Sequence, residues 1–166
     1  MSAAAAGEIQ YRRATEEDVD GIIALLGAVA DEGRWLLTES AADFEQRRER
    51  FVETARRQDA GMFVAVSDHI VGELTLLPEA PGLYGLGMAV EAAWRRRGVG
   101  SGLLDISIAW ARSVQAHKIS LEVFPHNPAA IALYEGYGFA REGLRRKHFR
   151  RRDGSFRDAI TMGLLL

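Results

Sequence analysis

The run Arg95-Arg96-Arg97-Gly98-Val99-Gly100-Ser101-Gly102 constrains this chain most, because it joins a strand-like segment to an amphipathic helix. Leu83 to Val90 reads as the strand, and about Gly100 to Gln115 as the helix, with Leu103, Leu104, Ile108 and Ala111 as its apolar stripe. Glycine allows close backbone approach, the first amides of a helix lack internal partners, and the helix dipole adds positive potential there. Such a junction suits pyrophosphate. A glycine-rich turn with solvated arginines is the plainer reading of an isolated match.

Two familiar nucleotide loops fit poorly. A Walker A loop needs Gly-Lys-Ser/Thr after four spacer residues, and the chain has no such string. A dinucleotide fingerprint finds two glycines in Gly98 and Gly100 and an acid in Glu122, but its third glycine position is Leu103. Glu91 to Arg97 also separate the strand from the first glycine, where that fold turns directly into its loop.

The remaining pattern is that of an α/β domain. A short strand is expected from Ile9 to Arg13, then a capping box from Thr15 to Asp18 opening a helix with Val19, Ile22, Ile23, Leu26 and Val29 on one face and Gly33 near its end. A second capping box, Ser40 to Asp43, predicts one charged helix to about Arg57, anchored by Phe44, Phe51 and Val52. Met62–Val66, Ile70–Leu77 and Leu83–Val90 read as an antiparallel meander broken at Ser67-Asp68-His69 and at Pro81-Gly82. Ile119 to Phe124 alternates like a strand, a last helix begins near Asn127, and Asp153-Gly154 marks a hairpin before a closing strand, Phe156 to Leu165. With no internal repeat, these elements predict one domain over residues 1–166, with a mixed sheet, helices on its faces and a flexible terminus at residues 1–7.

Composition narrows the function classes. Apolar residues at 48% and charged residues at 27% describe an ordinary packed protein, and a formal charge of -2 gives no global field for nucleic acid or anionic lipid. The absence of cysteine excludes disulfide frameworks, thiolate metal sites and cysteine nucleophiles. No apolar run approaches the ~18 residues of a spanning helix, and the small neutral start lacks the features of a secretory signal. A cytoplasmic location is expected, with no membrane partner and no global charge to recruit nucleic acid.

A second motif follows at Asn127-Pro128-Ala129-Ala130-Ile131-Ala132-Leu133-Tyr134, continued by Glu135-Gly136-Tyr137-Gly138-Phe139. Asparagine caps helices, proline suits the first turn, and the small Ala129, Ala130 and Ala132 permit close approach of a ligand or strand. Taken alone, the string could be a short amphipathic helix with a half-buried tyrosine.

Together the two motifs resemble the GNAT acetyltransferase family, whose pyrophosphate loop reads Gln/Arg-x-x-Gly-x-Gly/Ala and is met by Arg95, Gly98 and Gly100. The resemblance covers about Met88 to Phe139 at motif level. It implies a mixed, mostly antiparallel sheet of six to seven strands flanked by about four helices, and acetyl-CoA as cosubstrate with no metal. It also implies coenzyme binding by Arg95, Arg96, Arg97, Gly98, Val99, Gly100 and Ser101, strand pairing of Met88 and Val90 with the pantetheine arm, and coenzyme contact by Asn127 beside Ala130. Tyr134 takes the place of the general acid beside the coenzyme sulfur.

Acetyl transfer to an amine needs a sink for the amine proton, a donor for the developing oxyanion and an acid for the thiolate. A backbone N–H in Met88-Ala89-Val90 is the expected oxyanion donor. Glu122 is the favoured base, with Glu73 as the other strand carboxylate and ordered water as a further route. Trp35, Leu36 and Leu37 either floor the acceptor pocket or pack beneath their loop. The basic stretch Arg141 to Arg157 is either a solvated face or a contact for an anionic acceptor or RNA. The acceptor stays open between a small amine (amino acid, amino-acid-like antibiotic or polyamine) and a protein N-terminus or lysine, and a non-catalytic coenzyme-binding module is the third possibility. Homodimers are common among the proteins this chain resembles.

Overall fold

The computed structural model describes residues 8–166, and the flexible terminus expected at residues 1–7 lies outside them. The chain runs β1 (Gln10–Arg13), α1 (Val19–Asp31), α2 (Ala41–Glu45), α3 (Arg48–Arg56), β2 (Gly61–Val66), β3 (Ile70–Ala80), β4 (Leu83–Val90), α4 (Val99–Ser113), β5 (Lys118–Val123), α5 (Pro128–Gly136), β6 (Ala140–Arg150) and β7 (Phe156–Leu165). Seven strands form one sheet in the order β1-β2-β3-β4-β5-β7-β6, antiparallel throughout except where β4 pairs parallel with β5. No helix among the described residues is long and apolar enough to cross a membrane.

Local chemistry explains most of the boundaries. The first capping box forms: the Thr15 amide donates to Asp18 Oδ2 at 2.8 Å, and Arg12 grips both oxygens of the same carboxylate at 2.7 and 2.8 Å. It caps a 3-10 turn at Glu16–Asp18 that leads into α1. Gly33 stands past the helix end at φ 68°, and Gly154 turns the β6–β7 hairpin at φ 83°.

The single helix expected from Ser40 to Arg57 is instead two, α2 and α3, separated at Gln46-Arg47. Its capping box does not form. The Ser40 hydroxyl is buried with no hydrogen-bond partner among the described residues, while Asp43 is held by Arg152 at 2.7 and 2.8 Å. A long-range ion pair has taken the carboxylate that local capping would have used.

Side-chain alternation along the strands divides the apolar residues into two cores. Leu74, Leu76, Leu103, Leu104, Ile119 and Met162 are fully buried on the face covered by α4 and α5. Val19, Ile22, Phe44, Met62 and Val64 form the other core under α1 and α2. On that second face α1 packs against β3 and β4, and α3 against β2. The continuation of the same face over β5, β7 and β6 carries Ser120, Glu122, Ala159, Thr161 and Arg145, as the registers Glu122↔Thr161 and Arg145↔Ala159 require. Those residues line a cleft.

Candidate active site

The cleft exists because two parallel strands part company. β4 and β5 pair only through Leu83↔Lys118 to Leu86↔Leu121, while Gly87 to Val90 continue to pair with β3 on their other side. The β5-facing edge of Gly87-Met88-Ala89-Val90 is therefore left without a strand, at a place where backbone donors and acceptors can meet a ligand. The opening measures about 1420 Å³ and is lined from both faces of the sheet, by Met88, Val99, Gly100, Leu133 and Tyr134 on one side and Glu79, Gly87, Ser120, Glu122 and Arg145 on the other. That exceeds the roughly 300–1,000 Å³ of common single-ligand pockets and leaves room for two reactants.

One end of the cleft meets the start of α4. Gly98 caps this helix in the left-handed region at φ 83°, a conformation that glycine adopts without strain. The first bond of the helix is Gly102 N to Gly98 O at 3.0 Å, so the preceding amides, Val99 to Ser101, have no acceptor within it. Gly100 is small for a second reason. A Cβ there would stand 2.9 Å from Leu133 Cδ2, where α4 and α5 approach each other.

The three arginines of the loop behave differently. Arg95 lines the cleft but is already engaged, donating from Nε to the Val90 carbonyl at 2.9 Å and from Nη1 and Nη2 to Glu32 at 2.8 and 2.6 Å. The Arg95 guanidinium, reinforced by the Trp35 indole N–H at 2.6 Å, holds the Glu32 carboxyl below its usual range. Arg95 thus ties the loop to the end of α1. Arg96, at φ 62°, lines the cleft with no carboxylate within 4.0 Å among the described residues. Arg97 lies outside the lining, its guanidinium 4.4 Å above the Trp94 ring.

On the opposite wall, Asn127 caps α5 by accepting from the Ala130 amide at 3.2 Å, and both residues line the cleft. The cap fixes where α5 starts, and Tyr134 follows seven residues later, near its other end. Tyr134 is buried yet lines the cleft, with Phe139 tilted against it at 5.5 Å. Burial pushes its phenol far above the ordinary value, so it stays protonated at any working pH.

The two strand carboxylates separate. Glu122 lines the cleft just beyond the last β4–β5 pair, and its Oε1 accepts from Arg145 at 2.8 Å, with His148 Nε2 at 3.8 Å. Glu73 does not line it. Opposite Val64 and Ala89 in its neighbouring strands, it is buried on the α1 face, one strand removed from the opening. Burial raises its carboxyl to about 7, moderated by a hydrogen bond from Thr75.

Trp35, Leu36 and Leu37 line the cleft, and their loop is fastened from far along the chain. Arg151, buried at the tip of the β6–β7 hairpin, donates from Nη1 to the carbonyls of Leu36 and Leu37 at 3.0 and 3.1 Å. The His126 ring bonds the Arg34 carbonyl at 2.8 Å and stacks on Phe124 with centroids 5.2 Å apart. Most of the basic stretch is the exposed edge strand β6, but Arg145 and Phe149 reach the cleft and Arg151 is interior. Sequence reading missed Glu79, Ser120, Phe149 and Thr161, which have no motif and converge only through strand register. Among the described residues, no group of three or more acidic or histidine side chains is placed to hold a metal ion.

Comparison with known proteins bears on this geometry. Residues 30–139 match the model of the acetyltransferase (GNAT) family. The L-amino acid N-acetyltransferase AaaT of Escherichia coli is 31% identical over 106 residues, 61% of this chain and 65% of that protein, so the match spans a little under two thirds of the relative. The [ribosomal protein bS18]-alanine N-acetyltransferase of Escherichia coli is 32% identical over 117 residues, 70% of this chain and 72% of that one. The fold is shared with a phosphinothricin acetyltransferase from Sinorhizobium meliloti in complex with acetyl-CoA, at a TM-score of 0.84 and 18% identity, covering 95% of this chain and 88% of the other. The seven-stranded sheet with its parted β4 and β5, and a family match over most of the chain, place this protein in the acetyltransferase (GNAT) family.

Proposed function

We propose that the chain is a single catalytic unit that transfers an acetyl group from acetyl-CoA to the primary amine of a small molecule within a ternary complex. The observation that carries this reading is that one cleft brings together the free amides of α4, the open edge of β4 and the Tyr134 phenol. In this reading Val99, Gly100 and Ser101 amides hold the pyrophosphate with Arg96, while Arg95 keeps the loop in shape. Met88 and Val90 pair with the pantetheine arm, and Asn127 and Ala130 border it.

Acetyl-CoA supplies an acetyl group activated as a thioester. The Ala89 or Val90 N–H donates to the carbonyl oxygen as negative charge develops there. Glu122 takes a proton from the amine, the new C–N bond forms as the C–S bond breaks, and Tyr134 donates a proton to the departing sulfur. A neutral, desolvated phenol suits that donor role, and Glu73, away from the cleft, has no part in the transfer. Holding the two reactants side by side contributes much of the acceleration.

A protein N-terminus as acceptor is the second reading, favoured by the relative that modifies a ribosomal-protein alanine. The test pairs calorimetric titration of acetyl-CoA with thiol-release assays on small amines and on peptides. Saturable binding with turnover of small amines is expected, whereas turnover confined to peptides supports the second reading. Binding with no turnover on either panel leaves only a coenzyme-binding module.

A further inference from the structure

On the acceptor side of the cleft, small residues leave a shallow trough over β4, β5 and β7, formed by Gly85, Gly87, Ser120, Ala159 and Thr161. Three carboxylates border it. Glu142 is engaged by Lys118 at 2.7 and 2.8 Å, and Glu79 lies over Gly85, where it accepts from the Ser120 hydroxyl at 2.9 Å. Glu122 is paired with Arg145 at 2.8 Å, and both members of that pair line the cleft. Arg145 is half exposed, and among the described residues its partners besides Glu122 are limited to the His148 ring at 3.3 Å. A guanidinium has five N–H donors in a fork, so most of its donors remain open for a planar anion.

We propose that Arg145 selects the acceptor by binding a carboxylate next to the acceptor amine, so that the substrates are free α-amino acids. The inference rests on the acetyltransferase reading and names its acceptor class. An α-amino acid carries opposite charges on neighbouring groups, as do Glu122 and Arg145: its amine meets Glu122 while its carboxylate meets Arg145. Binding then draws the guanidinium from Glu122 Oε1, the oxygen that receives the amine proton. A polyamine brings a second cation toward Arg145, and a peptide N-terminus brings a neutral amide, and neither repeats this match. Trp35, Leu36, Phe124 and Phe149 line the adjoining wall and suit an apolar side chain.

The experiment compares L-phenylalanine, L-phenylalanine amide and phenethylamine as acceptors, read by thiol release, in the wild type, Arg145→Gln and Arg145→Lys. The wild type is expected to favour the free amino acid over both analogues by at least about tenfold in kcat/KM, from the charged hydrogen bonds. Arg145→Gln should lose that preference chiefly through a higher KM for the amino acid, any change that follows from freeing Glu122 being shared by all three acceptors, and Arg145→Lys should retain part of the preference. A merely structural role for Arg145 would lower all three acceptors alike and overturns the proposal, as does a preference that survives Arg145→Gln. Turnover of phenethylamine or the amide ahead of the amino acid overturns it while leaving the acetyltransferase reading intact; no turnover of these three overturns it as well, and the acetyltransferase reading falls with it only if the amine and peptide panels are also inert.

Discussion

Two buried ionisable residues have opposite consequences. Tyr134 keeps its proton because burial disfavours the phenolate, which suits it to the donor role proposed for it. Tyr134→Phe should slow acetyl transfer about ten- to hundredfold, near the lower range for general acids because a thiol leaves readily, with acetyl-CoA affinity nearly unchanged. Steady-state rates beside calorimetric titration check this, and equal rates would remove the acid role. Glu73 is buried with its carboxyl raised to about 7 from an ordinary value near 4.5, so the folded state prefers the neutral form. Below pH 4.5 the group is protonated whether folded or not, and above pH 7 it is ionised in both. Between these values the unfolded chain ionises first and stability falls as pH rises, by about 3 kcal/mol in total. Glu73→Gln, neutral throughout, should gain stability over the wild type from pH 5 to pH 8, read from denaturant midpoints; a difference independent of pH would contradict the assignment. The sequence shows Glu73 and Glu122 both as strand carboxylates and favours Glu122 for its place just before the second motif. Only the pairing register, with Glu73 opposite Ala89 and Glu122 opposite Thr161, decides which one reaches the cleft.

Elements differ in how far their position can be read from local sequence. α4 and α5 announce themselves, because Gly98 at positive φ and the Asn127 side-chain cap are local devices that act within a turn of the chain. The loop between α1 and α2 has no such device. It is held by the hairpin tip, whose Arg151 is 115 residues from the Leu36 carbonyl it satisfies, and by Arg152, which took Asp43 from its expected cap. Partners that distant leave no spacing to recognise, which is why Trp35, Leu36 and Leu37 stayed ambiguous between pocket floor and packing. Arg151→Ala should therefore act on the acceptor side, taking from the Leu36 and Leu37 carbonyls their shared donor at a cost of about 1–2 kcal/mol. The expected result is a lower unfolding midpoint and a severalfold higher acceptor KM with little change in acetyl-CoA affinity. A variant with both substrates equally weakened would show that the hairpin supports the whole cleft and not its acceptor wall.

At the scale of the molecule, the sheet is two portions joined where Leu83 to Leu86 pair with Lys118 to Leu121. The β1–β4 portion carries the α4 amides, and the β5–β7 portion is followed or adjoined by α5 with Tyr134 and by the Glu122–Arg145 pair. A ligand lying in the gap touches both, so its binding free energy opposes unfolding of the entire domain. At a concentration about 100 times its Kd, acetyl-CoA should add about 2.7 kcal/mol, which for a chain of this size raises the unfolding midpoint by about 5–10 °C. Gly100→Val tests whether that stabilisation passes through the α4 junction. Its new Cβ would stand 2.9 Å from Leu133 Cδ2, near Met88 Cε at 3.5 Å, filling the space between the two helices on the coenzyme side. Leu133 ends in a flexible tip that can turn aside, so the unliganded variant should melt within a few degrees of the wild type while losing most of the acetyl-CoA shift. A full shift in Gly100→Val would mean that the coenzyme is held away from the start of α4, and the assignment of the cleft would fall with it.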